Sequence, residues 1–173
     1  GRFGSMTGIV ANPNLHEVVI TAIVYAHDKF LIIRRSPTKK RFPGMWTVPG
    51  GRLETSDYTT QPRDTEAYWY NVLEKTLRRE VQEEVGLRVD KVEYLTSLAT
   101  IHPDGSPSIV ISCIARFAGG EVRLQQEEAD QFAWVTVEEV KNYPLVDGIY
   151  DELVMVRKKL AGEEVEWQKI TKA

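Results

Sequence analysis

Arg79-Glu80-Val81-Gln82-Glu83-Glu84-Val85-Gly86-Leu87 is the stretch from which the rest of this chain can be read. Its carboxylates stand at i, i+3 and i+4. On a helix, at about 100° per residue, Glu80, Glu83 and Glu84 share one arc. Like charges that close repel, so a solvated helix gains nothing from them. A hard divalent cation reverses that energy, because carboxylate oxygens are the ligands such ions prefer. Arg79 can reach Glu83 one turn on and fix its rotamer. Leu73, Leu77, Val81 and Val85 follow at four-residue steps and predict a core stripe beside the acidic arc. Gly86 stops the helix where a left-handed residue is wanted.

Working outward, Trp46 to Val48 reads as a short strand running into a tight turn at Gly50-Gly51, where glycines let backbone approach a ligand closely. The helix downstream starts at Asp64 or at Asn71; Asn71 with Glu74 has the form of a capping box. Glu17 to Ala26 is a buried strand, turned by His27-Asp28-Lys29 into a partner over Phe30 to Arg34. Val89 to Ile101 and Ser108 to Phe117 form a long hairpin. Glu121 to Leu124 and Phe132 to Val135 read as further strands, Val137 to Asn142 as a short helix, and Ile149 to Leu160 as an amphipathic one. Strands and helices mix without regular alternation, which predicts an α+β fold, a mixed sheet packed between helices as an α/β/α sandwich.

The chain has 173 residues, 42% of them hydrophobic and 27% charged, with a net charge of −3. That length and composition predict one globular domain over residues 6–173, after a Gly1 to Ser5 stretch read as an expression scar. The charge gives no footprint for a nucleic-acid polymer. Cys113, the single cysteine, excludes an intramolecular disulfide and is read as a buried, inert thiol. No apolar run is long enough to span a membrane. The expectation is a cytoplasmic enzyme.

A strand, a Pro49-Gly50-Gly51 loop and a helix carrying R-E-V-x-E-E-x-G-L resemble the Nudix hydrolases, metal-dependent enzymes that cut nucleoside diphosphates linked to another group. The family pattern is G-x5-E-x7-R-E-U-x-E-E-x-G-U, with U aliphatic. Its second half matches fully. Its middle departs, because Gly51 and Arg79 stand 28 positions apart, which implies an insertion of about 14 residues. The family's first Glu then falls on Asn71 or on Asp57, according to where the insertion lies. The resemblance covers roughly residues 17 to 160.

The resemblance implies a mixed sheet between helices and Mg²⁺ or Mn²⁺ as cofactor. It assigns Glu80, Glu83 and Glu84 to the metal, with the Gly51 carbonyl as a further ligand. Glu80 is also a candidate base. Family members often carry another Glu on a loop six residues ahead of a Trp, and Glu128 stands so before Trp134. It is read as base or ligand, with Glu127 as second choice. Glu80, Glu83, Glu128 and Arg79 are thus the catalytic candidates. Arg34, Arg35, Lys39, Lys40, Arg41 and Arg52 can offset phosphate charge. Arg34 and Arg35 point to opposite faces of a strand, so one at most faces the site. Arg52 and Arg34 are the substrate-binding candidates.

Tyr58, Tyr68, Trp69 and Tyr70 crowd the inserted segment. They can stack a base, cover core or form a homodimer contact. His16, His27 and His102 are scattered in turns and make no catalytic pair with Cys113 or with a serine. The expected partner is a small nucleotide, and the expected reaction is hydrolysis of a nucleoside triphosphate or deoxynucleoside triphosphate to the monophosphate and pyrophosphate. Nucleoside diphosphate sugars such as ADP-ribose are the alternative substrates. A nucleotide sensor of the same fold without turnover is the alternative of another class, although such proteins typically lose motif carboxylates.

Overall fold

The computed structural model describes residues 12–170; the Gly1 to Ser5 stretch lies outside them. Its centre is a seven-stranded mixed sheet. β1 (Glu17–Ala26), β2 (Lys29–Arg35), β3 (Trp46–Thr47), β5 (Arg88–Ile101) and β6 (Pro107–Gly119) run in the order β3-β2-β1-β6-β5. β4 (Gly50–Arg52) pairs with β1, and β7 (Ala129–Val135) pairs with β2. β1 and β6 are parallel from Glu17↔Ser108 to Tyr25↔Arg116. The other pairings are antiparallel.

Side chains of a strand alternate between faces, and here both faces are apolar. Ile20, Ala22, Val24, Leu31, Ile33, Cys113 and Ala115 pack on one side against Leu77, Val81 and Val85. Those three belong to α2 (Val72–Val85), and they are three of the four residues of the predicted stripe; the fourth, Leu73, is partly buried against the same cluster. Ile23, Phe30, Ile32 and Ile114 pack on the other side against Ile149, Leu153 and Val156 of α3 (Ile149–Leu160). Each fully buried aliphatic side chain contributes about 1.5–3 kcal/mol. The result is the expected α/β/α layering. Cys113 is buried, and burial pushes its thiol up to about 11.

Several local expectations change. Gly50-Gly51 is no turn: both residues lie in β4, and neither has positive φ. α2 begins after Asn71, but Asn71 is left-handed (φ 56°) and its side chain makes no capping bond. The capping box therefore does not form. Asp64 caps nothing either; it accepts the Tyr70 N–H at 2.8 Å within the preceding loop. A short helix, α1 (Ser56–Thr59), lies in the segment between β4 and α2. Residues 121–124 are not a strand; instead the Arg123 N–H donates to Val85 O at 2.9 Å, tying this segment to the end of α2. Glu139–Asn142 is a single 3₁₀ turn. Gly86 is left-handed (φ 76°), as its place at the helix end requires.

Candidate active site

α2 crosses over β4, and this crossing builds the site. Gly50 and Gly51 are needed for space. A Cβ on Gly50 would stand 2.5 Å from the Ile20 carbonyl oxygen, and one on Gly51 would stand 2.5 Å from Oε2 of Glu80. The missing side chains let β4 lie against β1 on one side and let the Glu80 carboxylate settle on bare backbone on the other.

Glu84 lies one helical turn beyond Glu80 and is only 8% exposed. It accepts the Gly50 N–H, and Arg35 lies in its field. These do not compensate for burial. Burial first, and then the negative fields of Glu128 and Glu80, push its carboxyl up to about 8. Burial likewise raises Glu80, against the pull of Arg79 and with the fields of Glu83, Asp57 and Glu128 adding to it. Three carboxylates from two elements thus lie in one another's fields: Glu80 and Glu84 on α2, and Glu128 on the loop before β7. The segment that follows β2 holds Glu128 at two points. Its carboxylate receives Lys39 Nζ at 2.6 Å, and its carbonyl receives the Ser36 N–H at 3.0 Å.

Glu83 is turned outward and bound by Arg79 Nη1 at 2.9 Å, the expected pairing one turn apart. The same guanidinium contacts Asp57 and lies 3.5 Å from Glu80. Asp57, rather than Asn71, therefore meets the motif arginine. Its other oxygen accepts the Glu54 N–H at 2.7 Å.

Of the two strand arginines, Arg34 is spent on a bidentate pair with Asp130. Arg35 is the one in the field of Glu84 and Glu128. It shares its face with Leu31 and Ile33, which pack toward α2. The sequence shows that the two arginines oppose each other, but not which parity faces the helix. Arg52 is 64% exposed, with Nη1 3.4 Å from Glu17 Oε2.

Among the described residues, no three Asp, Glu, His or Cys side chains close into a ready coordination shell. The donor chemistry nevertheless fits a hard cation. Burial and mutual repulsion raise Glu80 and Glu84 in spite of Arg79, Arg35 and the Gly50 N–H, and a divalent ion is what relieves carboxylates in that state. In the inserted segment, Tyr58 and Trp69 pack on each other at 5.3 Å, and Arg63 lies 4.9 Å above the Trp69 ring. Tyr68 and Tyr70 are exposed.

A NUDIX domain model matches residues 15–154. Human NAD-capped RNA hydrolase NUDT12 is 29% identical over 139 residues, which is 79% of this chain and 26% of that protein. The nucleoside triphosphatase NudI of Klebsiella pneumoniae subsp. pneumoniae is 25% identical over 146 residues, covering 75% of this chain and 89% of that protein. The crystal structure of a MutT NUDIX hydrolase from Burkholderia pseudomallei superposes with a TM-score of 0.65 at 20% identity, covering 83% of this chain and 99% of that one. That last likeness is one of fold. The matched region spans about a quarter of the length of NUDT12 and half of that of the NAD-capped RNA hydrolase NudC from Chromobacterium violaceum.

Proposed function

The chain belongs to the NUDIX family, and from that premise we propose that it is a divalent-cation-dependent hydrolase, cutting a phosphoanhydride bond of a nucleotide by attack of water at phosphorus. The observation that carries this reading is the Glu84 carboxyl, buried against Gly50 and in the fields of Glu80 and Glu128. Such an arrangement is costly without a cation.

Glu80 and Glu84, with the Gly51 carbonyl, would hold Mg²⁺ or Mn²⁺; Glu83 would join them after release from Arg79. When bound, the cation supplies neutralisation of phosphoryl charge and acidifies water. The remaining steps belong to the chain. Glu128 is the general base: its field reaches Glu84 and its side chain is 42% exposed, so an attacking water can reach its oxygens. Lys39 keeps that carboxylate oriented. Arg79 holds Asp57, Glu80 and Glu83 in one register. Arg35 offsets charge on the α2 face, and Arg52 meets substrate phosphate; Arg34, held by Asp130, is left out of that role. Catalysis is then positioning and electrostatics, with no covalent enzyme intermediate.

The favoured substrate is a nucleoside triphosphate, or its deoxy form, cut to the monophosphate and pyrophosphate. The similarity to a nucleoside triphosphatase supports it. The second reading is a nucleoside diphosphate joined to another group, such as ADP-ribose, supported by the similarity to NAD-capped RNA hydrolases. A panel of both classes, with Mg²⁺ and with EDTA, separates them by product mass. Metal-dependent release from triphosphates, lost in Glu84→Gln, is the expected result. Binding without release by the wild-type protein would instead identify a sensor.

A further inference from the structure

His102, which the sequence leaves without a partner, has one. Its Nε2 lies 2.9 Å from Ser108 Oγ, and Ser108 Oγ lies 2.8 Å from Glu17 Oε1. A carboxylate only accepts, so the hydroxyl proton goes to Glu17 and the imidazole N–H goes to the hydroxyl. This order does not activate a nucleophile, because the serine proton already faces a carboxylate, and Ser108 is only 1% exposed. What the chain of bonds does is anchor Glu17. Arg41 Nη1 joins Oε1 at 2.9 Å, and Arg52 Nη1 stands 3.4 Å from Oε2. Burial pushes the Glu17 carboxyl up, but the bonds from Arg41 and Ser108 outweigh it and hold the group below its ordinary value.

Each arginine is tied to the acidic centre through its backbone. Arg52 follows Gly51 in β4 and, by alternation, points to the opposite face from Glu80. The carbonyl of Arg41 accepts Arg35 Nε at 2.6 Å, and Arg35 faces Glu84 and Glu128. Beside Glu17 the α3 face of the sheet is less completely covered. Val19 and Val110, paired in register, are half-buried, whereas Ile23 and Ile114 farther along are fully buried beside α3. Two cations on one carboxylate leave a positive charge in excess, which Asp104, in the field of Arg41, offsets only through space. The shared carboxylate also stops them repelling each other and sets the direction of their donors.

We infer that Glu17 is a positioning residue that holds Arg41 and Arg52 as a grip for a phosphoryl group lying outside the carboxylate centre, where the substrate crosses from α2 to that less covered face. The ligand is the phosphate chain of the nucleotide. The inference rests on the nucleotide-hydrolase reading, but the grip itself needs no metal, and this separates the two experimentally. Inorganic pyrophosphate binding, measured by calorimetry in EDTA, reads the grip alone. The wild-type protein should bind, and Glu17→Gln and Arg41→Ala should each weaken binding roughly 10-fold, the scale of one charge-assisted hydrogen bond. With Mg²⁺ and nucleotide, the same variants should raise KM by a similar factor and leave kcat within about twofold, a split that a merely structural role would not produce. No pyrophosphate binding by the wild-type protein, or equal binding by the variants, overturns the grip. Absence of Mg²⁺-dependent turnover in a wild-type protein that binds pyrophosphate overturns the hydrolase reading instead.

Discussion

Gly51 packs its bare Cα against the carboxylate of Glu80 so closely that a methyl group there would stand 2.5 Å from Oε2 and 2.6 Å from Cδ. The atoms in the way are the end of a flexible side chain, which can swing aside. Gly51→Ala should therefore displace Glu80 and leave the fold intact, lowering turnover roughly 10- to 100-fold with a melting temperature close to the wild type. Gly50→Ala meets the Ile20 carbonyl oxygen and Thr21 Cα, at 2.5 and 3.0 Å, and backbone cannot yield so cheaply. It should cost about 1–3 kcal/mol of stability in a denaturant titration.

Glu84 makes the metal-free protein pH-sensitive. Its carboxyl lies near 8 in the fold against an ordinary 4.5, so folding favours the neutral form. That contribution is complete below about pH 4.5 and is lost as pH rises through about 8. The melting temperature in EDTA should fall across this window, and Glu84→Gln should flatten the fall. A cation takes the ionised form, so Mg²⁺ affinity should rise over the same range and binding at pH 7 should release about one proton. Calorimetry in buffers of different ionisation enthalpy counts it.

Arg79 orients three carboxylates with one planar fork. Arg79→Lys keeps the charge and loses the fork. It should raise the Mg²⁺ concentration for half-maximal activity by roughly 10-fold, a typical cost of disturbing ligand support. Asp57→Asn should move it in the same direction by less. Unchanged Mg²⁺ dependence in both would remove Arg79 from the site.

Leu77 sits fully buried between α2 and the sheet. Leu77→Ala should cost about 2–5 kcal/mol, read from urea unfolding with EDTA present so that metal binding does not mask the loss.

Much of this site is legible in the chain. The four-residue spacing of Leu77, Val81 and Val85 places α2 on the sheet, and the same helix then presents Glu80 and Glu84 together. Strand alternation predicts that Arg34 and Arg35 part company. Three features needed three dimensions. The parity that turns Arg35 toward α2 depends on which face that helix covers. The role of Asp57 depends on a loop folding back to Arg79 from 22 residues away, and no local pattern encodes that. His102, Ser108 and Glu17 meet because β1 runs parallel to β6, so Glu17 pairs with Ser108 across 91 residues of sequence. The glycines illustrate a subtler limit. Their presence is visible in the sequence, but the reason for them is close packing within a strand rather than a turn.

The central claim is that Glu80 and Glu84, beside Gly51, gather a divalent cation. Anomalous diffraction from a crystal grown with Mn²⁺ tests it most directly. The account predicts a manganese peak bounded by the Glu80 and Glu84 carboxylates and the Gly51 carbonyl oxygen, absent from a Glu84→Gln crystal grown alongside. A wild-type map with no peak at that position, at Mn²⁺ concentrations that support turnover, would contradict it.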